Sequence, residues 1–520
     1  MRRPNARLQA SRRNPPTEML SQGSPPPCPN RYECTFCRSN LATAATFFAA
    51  ASGLCLFYFL SSLSSSHRFG VIIDGGSTGT RIHLFGYRIG WGGLPAIDLG
   101  LTASMKVVPG LSAFVDNPET AAESLKELLD FVKDRVPKDR WGVTEVRLMA
   151  TGGLRLLDGG LAEGILNSCR SALRSSGFKF QDDWATVISG ANEGLYAWIA
   201  ANYALGTLGK AAQETIGIVE LGGASAQITF VPSEPMPAEF SLVIKFGQFT
   251  YNLYSHSFLH LGQNMAYEYL HRLLSSRDFK ASAEALLEGV YIDPCTPKGY
   301  LYNLEQLKVS ADALNAKIDY DRLPHAFGNF SECRSAALML LRKEKDRCSY
   351  KNCHIGSTFV PKLQGKFIAT ENFFHTSKFF GLGPSSFIAD LMLAGEKFCE
   401  EDWSELRRKY SDLEEEDLLR YCFSSAYIVA LLHDSLGIAM NDSRVVFANQ
   451  VGQVPLDWPL GAFIMQITAE GGSHSDGITV IIKAILPRLL SVLTFFSILA
   501  FIGLSILKWW KPVLKLKNKI

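Results

Sequence analysis

Two short glycine-rich segments contain the residue types best suited to bind phosphate groups. The first follows Asp74 and the second follows Glu220, and each acid closes a short apolar run. Glycine leaves backbone N–H groups accessible and hydroxyl side chains add donors, so such turns suit phosphate oxygens. A carboxylate beside the anion can hold a hydrated divalent cation. One such turn is common in ordinary hairpins, but two copies with matching acids predict a site that clamps a phosphate chain. The candidate phosphate-binding residues are Gly75, Gly76, Ser77, Thr78, Gly222, Gly223, Ala224 and Ser225.

Short strands must position both segments. Residues 69–74 and 81–87 surround the first segment, and residues 215–220 and 226–231 surround the second; all four have the apolar or alternating pattern of strands. Elsewhere strands alternate with helices, which predicts an α/β fold whose sheets are covered by helices. The further elements expected are strands at 146–150 and 185–189, helices at 119–136 and 192–205, and one solvated helix at 402–419.

The two ends of the chain predict a membrane-anchored protein. Residues 41–63 and 489–507 carry no charged side chain, and a helix of about 20 such residues crosses a bilayer. A signal peptide and a buried helix are the respective alternatives. Positive flanks stay in the cytosol, so we expect both basic tails there. The region between the spans would then be lumenal, in the Golgi or elsewhere in the secretory pathway, or extracellular at the plasma membrane. Two spans per subunit would also support association into oligomers.

Seven cysteines lie between the two predicted spans, and six of them cluster in the second half of that region. An even set is typical of disulfides in an oxidising compartment, although reduced core cysteines are the alternative. The spacing leaves the pairing open, and Cys169 is left over as a candidate buried thiol. Asn329 and Asn441 begin glycosylation sequons in the same region. The disulfide candidates are Cys295, Cys333, Cys348, Cys353, Cys399 and Cys422.

Several segments between residues 70 and 468 resemble the apyrases, the ectonucleoside triphosphate diphosphohydrolases of the actin, Hsp70 and sugar-kinase superfamily. The resemblance implies an α/β fold with two actin-like (RNase H-like) lobes around a nucleotide cleft, flanked by two transmembrane helices. Together with the predicted spans, it favours a doubly anchored apyrase of the plant apyrase 7 type. The segments that carry it are residues 72–87, 149–157, 188–206, 219–230 and 371–382, with 457–464 similar to the closing motif of the family.

The same resemblance implies a division into domains. Lobe I would be formed by two separate stretches of the chain and lobe II by the stretch between them. The expected domains are a disordered tail at 1–40, a span at 41–63, lobe I at 68–189 and 443–486, lobe II at 190–442, a span at 489–507 and a tail at 508–520.

The resemblance also implies catalytic roles for three residues. Glu193 matches the general base that takes a proton from water as that water attacks the terminal phosphorus. Ser225 and Gln227 match residues that orient this water. Without the resemblance, Glu193 would be read as an ordinary glutamate in the first turn of a helix, where a negative charge is favourable.

The resemblance also implies a metal ion and a class of substrate. Asp74 and Glu220 would hold a Ca²⁺ or Mg²⁺ ion, with Thr151 helping through a water molecule. The substrates implied are nucleoside triphosphates, nucleoside diphosphates or both. The formal net charge of +2 gives no support for a nucleic-acid partner.

Two departures from the family pattern support an alternative function. The family usually has aspartate where this chain has Glu220, and a hydroxyl side chain where it has Ala226. The alternative is a weakly active or inactive nucleotide-binding membrane protein or scaffold. An actin-like kinase is a third hypothesis, but it would need cytosolic ATP and an acceptor pocket, and the predicted topology opposes it.

The roles of some neighbouring side chains stay open at this point. Arg81 and His83 either support the fold or assist the site. Trp198 and Tyr203 are expected in the helix core. A cluster of aromatic residues could stack a nucleobase, but core packing is the better prediction. Its members are Phe373, Phe374, Phe379 and Phe380.

Overall fold

The computed structural model describes residues 67–89, 94–275, 290–302, 323–343 and 345–473, together with Gly53. Met1–Ser66 and His67–Ile520 are separate compact units, and every described residue except Gly53 belongs to the second. The predicted spans and basic tails, Gly53 apart, lie outside the described residues. Within those residues, no helix is both long and apolar enough to cross a membrane.

The described elements alternate between strands and helices. The strands are β1 (Arg68–Gly75), β2 (Thr80–Ile89), β3 (Pro95–Val107), β4 (Glu145–Ala150), β5 (Ala185–Val187), β6 (Gly217–Leu221), β7 (Ser225–Phe230), β8 (Ser241–Phe246), β9 (Phe249–Leu259), β10 (Val290–Asp293), β11 (Leu323–Ala326), β12 (Cys353–Ile355), β13 (Thr358–Phe359), β14 (Phe367–Glu371), β15 (Val445–Phe447), β16 (Gln450–Val451) and β17 (Val454–Pro455). The α-helices are α1 (Ala121–Lys133), α2 (Gly152–Arg155), α3 (Gly159–Arg174), α4 (Gly190–Ala204), α5 (Gln263–Ser275), α6 (Phe330–Arg342), α7 (Asn372–Phe379), α8 (Ile388–Cys399), α9 (Trp403–Lys409), α10 (Glu415–Val429) and α11 (Trp458–Ser473).

The first sheet has the strand order β3-β2-β1-β4-β5. Strands β1 to β3 are antiparallel neighbours, whereas β4 runs parallel to β1 and β5 runs parallel to β4. Val71, Ile72 and Ile73 of β1 are almost completely buried, and their β-branched side chains suit a strand that is covered on both faces. The strands predicted for this sheet are confirmed.

The second sheet has the strand order β15-β14-β6-β7-β9-β8. The hairpin of β6 and β7 is antiparallel, and β14 and β15 join it as parallel strands. The strands predicted at 215–220 and 226–231 are therefore confirmed. Strand β15 corrects one boundary, because the prediction placed residues 443–486 in lobe I whereas β15 pairs with β14 of the second sheet.

Helices α4 and α11 lie between the two sheets. Their apolar side chains share one core with the inner faces of both sheets, including Ile72 from β1 and Ile368 from β14. Helix α4 is apolar on nearly all sides, as expected for a helix enclosed by other elements. A β-carbon on Gly461 of α11 would lie 1.7 Å from the carbonyl oxygen of Tyr196 in α4. Glycine therefore allows the two helices to pack backbone to backbone.

The outer faces of the sheets are covered by further helices. Helices α1 and α3 form a separate core with the outer face of the first sheet. Helices α5, α6, α8 and α10 do the same for the second sheet. The prediction of one solvated helix at 402–419 is wrong. Helices α9 and α10 replace it, and the apolar residues that follow the acidic first turn of α10 pack into the core.

Three disulfides connect elements of the second half of the chain. The prediction that six cysteines form disulfides is confirmed, and Cys169 is a buried free thiol. The sequons differ in their surroundings, because Asn441 is exposed whereas Asn329 caps helix α6 through its side-chain oxygen. The pairs are Cys295–Cys333, Cys348–Cys353 and Cys399–Cys422.

Candidate active site

Two equivalent hairpins position the glycine-rich segments. Asp74, near the end of β1, is the cross-strand partner of Arg81 in β2. Glu220, near the end of β6, is the cross-strand partner of Gln227 in β7. Each hairpin therefore places an acid beside a polar side chain at the same end of its own sheet. We call residues 75–78 the first loop and residues 222–225 the second loop.

The two loops face each other across a narrow cleft. A β-carbon on Gly223 would lie 3.0 Å from Ser77 Oγ and 3.0 Å from Thr78 Cγ2. Gly75 is the one predicted phosphate-binding residue that does not line the cleft, because it pairs with Thr80 inside the sheet. The cleft has a volume of about 110 Å³. Its polar lining includes Asp74, Ser77, Thr78, Arg81, Lys106, Thr151, Glu193, Glu220, Ser225, Glu371 and Asp457.

Gln227 joins Glu193 and Ser225 through hydrogen bonds. Ser189 caps helix α4 by accepting from the Asn192 N–H, which leaves Glu193 in the first turn of the helix. Gln227 Nε2 donates to Glu193 Oε2 at 3.2 Å and to Ser225 Oγ at 2.8 Å. The three residues for which the sequence predicts catalytic roles therefore come together at one end of the cleft.

Arg155 joins this group, although the sequence did not predict a role for it. Its guanidinium forms an ion pair with Glu193 and donates to Ser225 Oγ at 3.2 Å. Ser257 completes the network, because its hydroxyl accepts from Gln227 Nε2 at 3.0 Å. Arg155 lies in the motif at 149–157, so a basic residue two positions after Gly153 was the available signal.

Burial raises the pKa of several carboxyl groups of the cleft. Burial raises the pKa of Asp74 well above its ordinary value, and the nearby Glu193 raises it further. Burial likewise raises the pKa of Glu220, with added repulsion from Glu193 and Glu371. For Glu193, burial raises the pKa although the Arg155 guanidinium lowers it. A cavity with so many acids near one another favours a bound cation.

Glu371 and Asp457 are two further acids of the cleft that sequence reasoning did not single out. Glu371 is the last residue of strand β14 and has a positive φ of 59°, a conformation that costs free energy and is concentrated at functional sites. Its backbone N–H donates to Asn449 Oδ1 at 2.7 Å. Asp457 Oδ2 lies 3.6 Å from Nδ1 of His83. Both acids lie in segments that resemble the apyrases, and this was the only feature of the sequence that pointed to them.

His83 is buried next to Asp457 and does not line the cleft. Burial lowers the pKa of its imidazole to about 4, so the ring is neutral at physiological pH. Arg81, by contrast, lines the cleft next to Lys106, its partner across β2 and β3. The sequence left open whether these two residues support the fold or assist the site. Arg81 lines the cleft, where it can contact a ligand, whereas His83 is buried behind it.

The chain matches known proteins over most of its length. Residues 61–473 match the GDA1/CD39 (nucleoside phosphatase) family. This chain belongs to that family. It is 54% identical over 461 residues to probable apyrase 6 of Arabidopsis thaliana, covering 87% of this chain and 83% of that protein. It is 30% identical over 429 residues to a nucleoside-triphosphatase of Pisum sativum, covering 77% and 88% of the two chains.

A solved structure supports the fold. The crystal structure of nucleoside triphosphate hydrolases from Neospora caninum is similar with a TM-score of 0.59 at 18% identity, covering 82% of this chain and 97% of that one. The predicted family and the α/β architecture with two sheets are confirmed. The narrower resemblance to the apyrase 7 type and the two membrane spans stay predictions.

The residues at the cleft fit the divalent cation that enzymes of the GDA1/CD39 family require. Asp74 Oδ1 and Glu220 Oε2 are buried and have no hydrogen-bond partner among the residues that the structure describes. Hard carboxylate oxygens are the ligands that Mg²⁺ and Ca²⁺ prefer. Among the described residues, no three His, Cys, Asp or Glu side chains lie close enough to bind one ion directly. The donor set therefore suits a hydrated cation held in part through water.

Ala226 faces away from the cleft. Side chains alternate along β7, so Ser225 and Gln227 point to the cleft whereas Ala226 packs in the core beneath the sheet, with 3% of its surface exposed. A hydroxyl at this position would not reach the site. One of the two departures that supported an inactive protein therefore has no bearing on the chemistry, and inactivity is not favoured.

The aromatic residues are mostly structural, as predicted. Trp198 is completely buried, and the hydroxyl of Tyr203 donates to the carbonyl oxygen of Pro95. Phe379 stacks on Tyr421 with ring centroids 3.5 Å apart. The aromatic residue that does line the cleft is Trp458, at the start of α11, within the described part of the chain.

Proposed function

We propose that the protein hydrolyses the terminal phosphates of nucleoside tri- and diphosphates, with Glu193 as the general base. The observation that carries this proposal is the contact among Glu193, Ser225 and Gln227 at one end of a cleft lined by both glycine-rich loops. Membership of a nucleoside phosphatase family and the relatives named apyrase and nucleoside-triphosphatase support the substrate class.

Different residues bind the phosphates, orient the attacking water and accept its proton. Backbone N–H groups and hydroxyls of the two loops bind the phosphate chain and hold the terminal phosphorus near Glu193. Gln227 and Ser225 hydrogen-bond the attacking water, and Glu193 accepts its proton as the new P–O bond forms. The bond to the bridging oxygen breaks, and the shortened nucleotide leaves with its electron pair. A raised pKa makes Glu193 a better proton acceptor at neutral pH.

Asp74 and Glu220, with Thr151 through water, would hold a Ca²⁺ or Mg²⁺ ion. When bound, such an ion offsets the negative charge of the phosphates and of the acids around them. The donor chemistry of the cleft accepts either ion.

Phosphate release tests the proposed activity. The full chain is supplied with nucleoside mono-, di- and triphosphates in Ca²⁺, Mg²⁺ or EDTA, and inorganic phosphate is quantified. We expect release from the di- and triphosphates that stops at the monophosphate and is lost in EDTA. A folded protein that binds nucleotide and releases no phosphate from any member of the panel would instead establish the scaffold function.

We further propose that residues 41–63 and 489–507 anchor the protein in a membrane, with both termini cytosolic. The three disulfides support an oxidising compartment for the catalytic region. Tags at the two termini and a protease added to sealed vesicles test the topology. Cleavage of both tags with the catalytic region protected is expected, and protection of either tag would contradict it.

A further inference from the structure

A second cavity lies beneath the second sheet, apart from the catalytic cleft. Its volume is about 620 Å³, against about 110 Å³ for the cleft. It opens between the end of β9, helices α5 and α6, and the β12–β13 hairpin. Cavities of this size accommodate small organic ligands.

The lining combines an apolar floor with a basic rim. Phe258 and Leu341 contribute to the floor, and Arg272 and Lys343 contribute to the rim. No aspartate or glutamate is among the described residues that line the cavity. The charge of this cavity is therefore opposite to that of the catalytic cleft, and it suits an anion.

The two cations of the rim are available to a ligand. In the described part of the chain, neither Arg272 nor Lys343 forms an ion pair with a carboxylate. Glu268 lies one turn before Arg272 in helix α5 but does not pair with it. The Arg272 guanidinium carbon lies 5.2 Å from the ring centroid of Tyr269. The Tyr269 hydroxyl in turn lies 3.2 Å from His260 Nδ1. These aromatic contacts fix the direction of the arginine side chain and leave its N–H donors for an anion.

One wall of the cavity also supports the second loop. His260 adopts a left-handed φ of 72°, and its N–H donates to the Ala224 carbonyl oxygen at 3.0 Å. Gln263 N donates to the Gly222 carbonyl oxygen at 2.8 Å. A ligand that moved the segment at 260–263 would therefore move the second loop, because the two are joined by backbone hydrogen bonds.

We propose that this cavity binds a small organic phosphate of nucleotide size and couples its binding to the catalytic cleft. The phosphate would pair with Arg272 and Lys343, and the organic part would pack on the apolar floor. Hydroxyls of Ser357 and Thr358 are available to a sugar. Binding itself does not depend on the hydrolysis proposed above. The coupling does rest on it, because its readout is a change in turnover.

Photolabelling of the full chain with 8-azido-AMP locates the site. We expect modified peptides from residues 256–273 or 340–358 as well as from the cleft. The double variant R272Q/K343Q should lose the cavity label by at least about tenfold, since two charge-assisted contacts are removed. The cleft label should persist in it, which shows that the variant is folded.

A matched control removes two exposed cations outside the cavity. K245Q/R342Q makes the same change in net charge, and we expect its cavity label to equal that of the wild type. AMP competes with nucleotide at the cleft and should raise the KM of both variants alike. Through the cavity, AMP at labelling concentrations should in addition change the kcat of this control and not that of R272Q/K343Q. Labelling confined to the cleft, or cavity labelling that survives in R272Q/K343Q, would overturn the binding site. An equal change of kcat by AMP in both variants, or no change in either, would overturn the coupling.

Discussion

Two opposing effects set the pKa of the Glu193 carboxyl group. Burial raises its pKa and the Arg155 guanidinium lowers it. A general base benefits from both, because a very low pKa makes a poor proton acceptor and a very high one leaves the group protonated. Arg155 therefore acts through Glu193, as a positioning residue that keeps the base charged.

Replacing Arg155 should alter the pH dependence of catalysis. Arg155 lowers the pKa of Glu193, so Arg155→Gln should raise that pKa and move the acidic limb of kcat/KM to higher pH. Arg155→Lys keeps a positive charge and should move it less. The profiles are measured by phosphate release in matched buffers. An unchanged limb in Arg155→Gln, or a shift to lower pH, would contradict this role.

Glu220 is the acid whose length departs from the family pattern. Its Oε2 is buried and has no hydrogen-bond partner in the described part of the chain, as expected of a group that binds a cation or its water. Glu220→Gln removes the charge and should reduce kcat by about 100-fold or more. Glu220→Asp keeps it and should stay within about tenfold of the wild type.

Titration of the activity with Ca²⁺ and Mg²⁺ measures both variants of Glu220, and Glu234→Gln serves as an exposed control. A higher cation requirement in Glu220→Gln and an unchanged one in Glu234→Gln are expected. Equal cation dependence in all of them would remove Glu220 from the metal site.

At the scale of elements, strand alternation decides which side chains reach the cleft. Ala226→Thr restores the hydroxyl usual in the family, yet Ala226 packs in the core. The substitution should leave kcat unchanged and cost about 1–3 kcal/mol of stability, because it adds atoms and a polar group to a packed interior. Thermal unfolding and phosphate release measure the two effects. A higher kcat with unchanged stability would show that residue 226 faces the catalytic cleft and its attacking water.

Local patterns predicted the two hairpins and their acids, because a strand, a turn and the next strand are neighbours in sequence. Helix α10 was missed because its acidic first turn suggested a solvated surface, while its buried portion begins at Leu418. Glu371 and Asp457 were missed for another reason. They reach the cleft only when β14 and α11 return to the same end of the sheets, and sequence spacing carries no information on that return.

At the scale of the whole molecule, the site is assembled from both sheets and the helix between them. Asp74 comes from the first sheet, Glu220 from the second and Glu193 from α4. The relative position of these acids therefore depends on how α4 and α11 separate the sheets. The predicted division into two lobes stays a prediction, and β15 places residues 445–447 in the second sheet rather than in lobe I.

Gly461→Ala tests that dependence. Its β-carbon would lie 1.7 Å from the Tyr196 carbonyl oxygen, so the helices must separate. We expect a loss of about 2 kcal/mol or more in stability, with reduced turnover. Gly164→Ala in α3 is the matched control, since its nearest contact would be 3.8 Å. Thermal unfolding of both variants checks this, and equal midpoints would contradict the close packing.

The most direct test of the whole mechanism is Glu193→Gln, measured for nucleotide binding and turnover in the same preparation. The amide keeps the size of the side chain and can still contact Gln227, but it cannot accept a proton. Binding of nucleotide should therefore be retained, while kcat falls by about 100-fold or more. Turnover at the wild-type rate with intact binding would contradict the assignment of Glu193 as the base.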